Sequence, residues 1–216
     1  MKPGEPWGEP LTDAADVELA GDDADLAAVV AAHRGDLVRF HPTGRSDLAR
    51  AVGIAGGGPG ERAAPIDALD LGPDGHAVNA VVLGTHPARV GLTTPSAAMR
   101  VSVDGRPTFD GRATTVVVAN GQFLDGLDVV PRGHPGDGRM EVQVYALQRG
   151  ERKAMRTRLP QGTHLPHPRI TTAAGRSVVV TVAGGRLLPL TVDGVAHDPV
   201  ADLRIDLLPA ALRLVL

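Results

Sequence analysis

The residues with the clearest chemical potential lie near the N-terminus, in Gly21-Asp22-Asp23-Ala24-Asp25. The preceding Asp16-Val17-Glu18-Leu19-Ala20 reads as a short strand, and the Ala/Val/Leu-rich run 24–32 reads as a helix ending at Gly35. Strand, glycine turn and helix together make a phosphate-binding arrangement. Glycine lets backbone N–H groups approach an anion, and the helix dipole favours it there. Three carboxylates in five residues oppose that use, because they repel a polyphosphate. They also suit an ordinary acidic helix start. A second such turn is Pro42-Thr43-Gly44-Arg45, where Ser46 is placed to cap a helix over residues 47–52.

Other candidates are weaker. Asp137-Gly138 offers one carboxylate to a hard cation that needs several oxygens, and a plain turn accounts for it as well. His164 and His167 have no third ligand at a metal-binding spacing. No Gly-x-Ser-x-Gly elbow marks a hydrolase. Near the C-terminus Leu188, Leu190 and Val192 alternate with other residues and run into Asp193-Gly194. Leu203, Ile205 and Leu207 alternate again. The residues alone predict a hairpin between these two runs, with a solvated Asp193 at its tip.

Composition sets the frame that must position these groups. The chain has 216 residues, 43% of them apolar but only 2% aromatic, so Val, Leu, Ala and Ile build the core. With 27 Gly and 18 Pro, many turns are expected. The formal charge is −3, and no Lys/Arg-rich run stands out, which argues against a nucleic-acid partner. Cysteine is absent, compatible with a cytoplasmic location. Residues 1–10 lack the apolar stretch of a signal peptide, and no apolar run is long enough to span a membrane.

Residues 1–15 read as an irregular arm, and Gly56 to Pro59 as a linker. Beyond it, strands are expected at 65–71, 76–84, 98–104, 112–120, 126–130, 140–147, 168–172, 177–183, 187–192, 202–207 and 211–216. One extra helix is expected over 150–158. The predicted fold class is α+β, mainly β. A short truncated α/β, Rossmann-like lobe (residues 1–55) precedes an antiparallel β-sandwich-like domain (residues 56–216).

The ordered set of motifs resembles the diacylglycerol/sphingosine kinase-like lipid kinases. Gly21–Asp25 stands where that family has Gly-Gly-Asp-Gly-Thr. His41-Pro42-Thr43-Gly44-Arg45-Ser46-Asp47-Leu48-Ala49-Arg50 stands where it has Pro-Leu-Gly-Thr-Gly-Asn-Asp-Phe-Ala-Arg. Asn79 with Gly84, Asn120-Gly121 with Gly126 and Pro131, and Val192-Asp193-Gly194 continue the likeness. After that Asp-Gly the family has glutamate where Val195 stands.

The resemblance implies ATP and Mg²⁺ as cofactors and Asp193 as the general base acting on a lipid hydroxyl. Gly21, Asp23, Thr43, Gly44, Ser46 and Asp47 would then lie against the nucleotide, and Asp137 would be a metal ligand. It also implies a lipid or amphipathic small molecule as partner, with transient membrane-surface contact. The family's opening strand–helix–strand has no counterpart before Asp16. The altered loops and Val195 lead to a protein that has lost efficient ATP binding and acts through lipid or protein binding. The rival expectations are an active ATP-dependent lipid kinase and a structural or homo-oligomerising module.

Overall fold

The computed structural model describes residues 7–54 and 62–216. The expected linker at Gly56–Pro59 lies outside the described residues. Part of the expected irregular arm is ordered pairing: β1 (Glu9–Pro10) lies antiparallel against Ala63 and Arg62.

β2 (Val17–Gly21), α1 (Asp23–Val29) and β3 (Leu37–Pro42) form a βαβ unit in which β2 and β3 are parallel. Leu26, Ala27 and Val30 on one side of this turn of chain are buried against Phe40 and Val38. The helix is shorter than the Ala/Val run suggests, because Val30 N already bonds back to Ala27 O and tightens the last turn. α2 (Asp47–Val52) begins at the expected cap, where Ser46 Oγ accepts from Ala49 N. It ends on Gly53 in the left-handed conformation.

The rest of the described chain is dominated by strands. They are β4 (Arg62–Asp70), β5 (His76–Ala77), β6 (Ala80–Gly84), β7 (Ala97–Val103), β8 (Arg106–Ala113) and β9 (Thr115–Ala119). After these come β10 (Phe123–Leu124), β11 (Leu127–Asp128), β12 (Met140–Tyr145), α3 (Arg152–Arg158), β13 (Ile170–Gly175) and β14 (Ser177–Val182). β15 (Leu188–Val192), β16 (Val195–Val200) and β17 (Asp202–Val215) complete the order.

Two sheets pack face to face as a sandwich. The larger runs β1-β4-β17-β14-β7-β8, with β3 and then β2 continuing from β17; the smaller runs β13-β12-β9-β6-β15-β16. Val101, Val103, Val178, Val180, Leu203 and Ile205 from the first meet Val81, Leu83, Val116, Val118, Val142 and Leu190 from the second. The outer face of the smaller sheet is also covered: Val82, Val117 and Tyr145 pack under Val129, Met155 and Leu159. Burial on both faces explains why β9 reads as an unbroken apolar run rather than an alternation.

Several sequence expectations change. The partner of β15 is β16, not the 202–207 run, which belongs to the other sheet. β16 escaped the pattern, and β8 did so except for its last two residues, because both are edge strands with few buried side chains, each carrying a proline. The two C-terminal strands are one, β17, bulged between Leu208 and Leu212 with Ala210 at φ 47°. Its end pairs in parallel with β3, so the last strand joins the sandwich to the βαβ unit. No described helix is long and apolar enough to cross a membrane.

Candidate functional site

Asp193 and Gly194 form a two-residue turn between Val192 and Val195, with φ of 46° and 85°. Positive φ at both positions is what a type I′ hairpin requires. The expectation of a solvated tip fails. Asp193 Oδ2 accepts from Val78 N at 2.7 Å, and Oδ1 accepts from Asn79 N and Ala80 N at 3.0 and 2.8 Å. These amides are free because the predicted 76–84 strand breaks at Val78–Asn79, and the carboxylate fills the break. Burial pushes the Asp193 carboxyl up to about 7; the three amides hold it down, and the nearby Asp23 adds to the rise.

The start of α1 faces this turn. Asp22 caps the helix, its Oδ1 accepting from Ala24 N and Asp25 N at 3.0 and 3.1 Å. Asp25 completes a capping box by accepting from Asp22 N at 2.9 Å. Gly21 is demanded by this packing, since an added Cβ would stand 2.2 Å from Asp25 Oδ2. Asp23 is 6% exposed and reaches the start of α2 instead. Its Oδ2 accepts from Asp47 N and Leu48 N at 3.0 and 3.2 Å, and its Oδ1 accepts from the Ser46 hydroxyl. Burial raises the Asp23 carboxyl, although Ser46 and the amides oppose it.

The far wall is the β10–β11 hairpin. Asp47, 7% exposed, accepts from Gly126 N at 2.9 Å, and burial raises its carboxyl too. Arg50 donates to Gly126 O at 2.7 Å while its guanidinium lies 4.1 Å over the Phe123 ring. Asp125 receives Arg45 at 2.8 Å and Arg89 at 3.2 Å. Asn79 donates to Phe123 O at 3.1 Å.

These groups enclose a polar cleft of about 180 Å³ lined by Asp22, Asp23, Arg45, Asp47, Asp125 and Asp193 among others. A second cleft, about 270 Å³, lies on the other side of Asp193, with Ala24, Ala27, Ala28 and Val192 in its lining. Val195 borders both.

Of the residues singled out from sequence, Asp23, Asp47 and Asp193 converge here, and Gly21 and Ser46 act behind them. Thr43 and Gly44 are exposed and do not line the cleft. Thr43 N donates to Gly21 O at 2.9 Å, tying the two loops together. Asp137 lies in a separate turn, where its Oδ1 accepts from Arg139 N at 3.0 Å. Among the described residues no three His, Asp or Glu side chains are grouped to hold a metal ion. Asp125 was missed, although Asp125-Gly126 is the same turn signal as Asp193-Gly194.

The site does not fit a nucleotide polyphosphate as it stands. The N–H groups that would cradle phosphate at the starts of α1 and α2 already serve Asp22 and Asp23. Carboxylates line the space that remains.

The βαβ unit and the antiparallel sandwich meet at this cleft. Residues 91–216 match the YegS C-terminal NAD kinase beta sandwich-like domain, and the chain belongs to that family. A diacylglycerol kinase from Bacillus anthracis str. Sterne has a similar structure, with TM-score 0.71 and 17% identity over 93% of this chain and 76% of that one. A yeast NADH kinase complexed with NADH gives TM-score 0.54 and 12% identity, over 93% of this chain and 61% of that one. An NAD kinase from Archaeoglobus fulgidus in complex with ATP gives TM-score 0.50 and 14% identity, over 93% and 78%. At these identities the likeness shows the fold. Among curated proteins none matches the sequence.

Proposed function

We propose that this chain is a lipid-kinase-like protein that binds an amphipathic alcohol beside Asp193 and has lost efficient ATP binding. The observation that carries the reading is the internal use of the phosphate-facing amides. Asp22 holds Ala24 N and Asp25 N; Asp23 holds Asp47 N and Leu48 N. An incoming polyphosphate must displace bonded carboxylates and then face their charge. The Mg²⁺ role assigned to Asp137 shares this difficulty, since its carboxylate closes its own turn.

The binding half of the reading rests on the second cleft. Its Ala24, Ala27, Ala28, Val192 and Val195 suit a hydrocarbon chain, its Asp74, His76 and His197 suit a polar headgroup, and Asp193 suits a hydroxyl donor. Such a protein acts by holding a lipid or passing it to a protein partner, in a cytoplasmic setting and with transient membrane contact. Titration calorimetry with ATP and Mg²⁺ is the test. No binding in the micromolar range is expected, and micromolar affinity overturns the reading. Lipid extracted from the purified protein and identified by mass spectrometry tests the other half.

One observation favours the alternative of an active lipid kinase. A carboxyl near neutrality at the edge of a cleft has the right proton affinity to take a proton from a hydroxyl. That reading expects ATP-dependent phosphorylation of a diacylglycerol or sphingoid base, abolished by Asp193→Asn. Finding neither transfer nor bound lipid leaves a structural or homo-oligomerising module.

A further inference from the structure

Contrary to the expectation that no Lys/Arg-rich run stands out, the near-neutral chain carries one. Residues 149–158 hold Arg149, Arg152, Lys153, Arg156 and Arg158 against a single acid, Glu151, in a chain whose formal charge is −3. Glu151 is already committed: it accepts from Gln148 N at 2.7 Å and pairs with Arg169 at 3.3 Å. Arg149, Lys153, Arg156 and Arg158 are exposed and form no ion pair among the described residues.

Arg152 points the other way and is 4% exposed. It donates to Gly91 O, Leu92 O and Thr94 O at 3.0, 3.4 and 2.7 Å. This fastens the 91–94 turn to the start of α3 and leaves the Leu92 side chain projecting, 58% exposed.

From these observations we infer that α3 with the 91–94 turn is a docking face for an anionic lipid bilayer. Unpaired cations on and just before α3 are attracted to acidic headgroups, and Leu92, on the turn that Arg152 fastens to the start of α3, offers an apolar group to the acyl boundary. A single-stranded nucleic acid fits less well, because its binding uses exposed aromatic rings for stacking. The chain is 2% aromatic; its one Tyr is buried, and its one Trp packs against His134. Docking does not require the cleft beside Asp193 to bind lipid, so vesicle binding and the lipid-extraction test can fail separately.

Vesicle sedimentation tests the face. The full chain should sediment with phosphatidylcholine–phosphatidylglycerol vesicles, not with phosphatidylcholine alone, and should be released by added salt. Lys153→Gln and Arg156→Gln should each weaken partitioning about five-fold, and together roughly thirty-fold. Leu92→Ser should weaken it further while leaving the salt dependence unchanged. Equal sedimentation with both vesicle types, none with either, or wild-type behaviour of the double variant overturns the inference. So does tighter binding to polyuridylate than to anionic vesicles at equal phosphate.

Discussion

Two Asp-Gly turns in this molecule share local chemistry but not fate. Asp104-Gly105 joins β7 to β8 and Asp193-Gly194 joins β15 to β16, each with both residues at positive φ. Asp104 Oδ1 accepts from Arg176 N and Ser177 N at 2.8 and 2.9 Å, at an exposed corner of the sandwich. Asp193 accepts three amides at the junction with the βαβ unit, facing Asp23 across a cleft. The first carboxylate only pins a corner. The second holds a strand break open and is pushed toward neutrality. A turn motif therefore makes a functional candidate only when another part of the chain desolvates it.

The largest expected contrast is in stability. Asp193→Ala leaves three amides without acceptors and should cost about 2–4 kcal/mol, against about 1 kcal/mol for Asp104→Ala at its exposed corner. Urea denaturation of both variants measures this; equal losses would erase the distinction between the turns. Asp23→Ala frees the start of α2 and should cost about 1–3 kcal/mol in the same assay. It should also raise phosphate or ATP affinity above that of the parent chain by calorimetry. An unchanged affinity would show that the occupied amides are not what excludes nucleotide.

A smaller effect separates the turns by pH. The Asp193 carboxyl is raised from 3.8 in the unfolded chain to about 7 in the fold. Its contribution to stability is therefore fully present below 3.8 and is lost as pH rises through about 7. Asp193→Asn should flatten that fall, whereas Asp104→Asn should leave it in place. The smallest contrast is at the glycines. No heavy atom lies within 4 Å of a Cβ added at Gly105 or Gly194, so only the positive φ matters. Alanine at either position should cost about 1 kcal/mol, nearly equally, by thermal unfolding.

Much of the frame was legible. The Ser46 cap, the short α/β unit, most of the sandwich strands and the Asp193-Gly194 turn follow from local propensity and alternation. Edge strand β16 and most of β8 were not, because their residues carry no alternation. The site was legible only in pieces. Asp23, Asp47 and Asp193 were visible, but Asp23 reads locally as a helix start when its carboxylate serves a different helix. The basic run at 149–158 stands in the sequence itself, and only a near-neutral average over the whole chain masks it.

Sequence alone determined where the backbone reverses, because the φ an Asp-Gly pair permits is a property of those two residues. Which carboxylates meet, which amides they occupy and which of them lose water depended on residues more than a hundred positions apart, such as Val78 and Asp193. Desolvation and charge coupling act through space, so only the packed sheets and helices decided them.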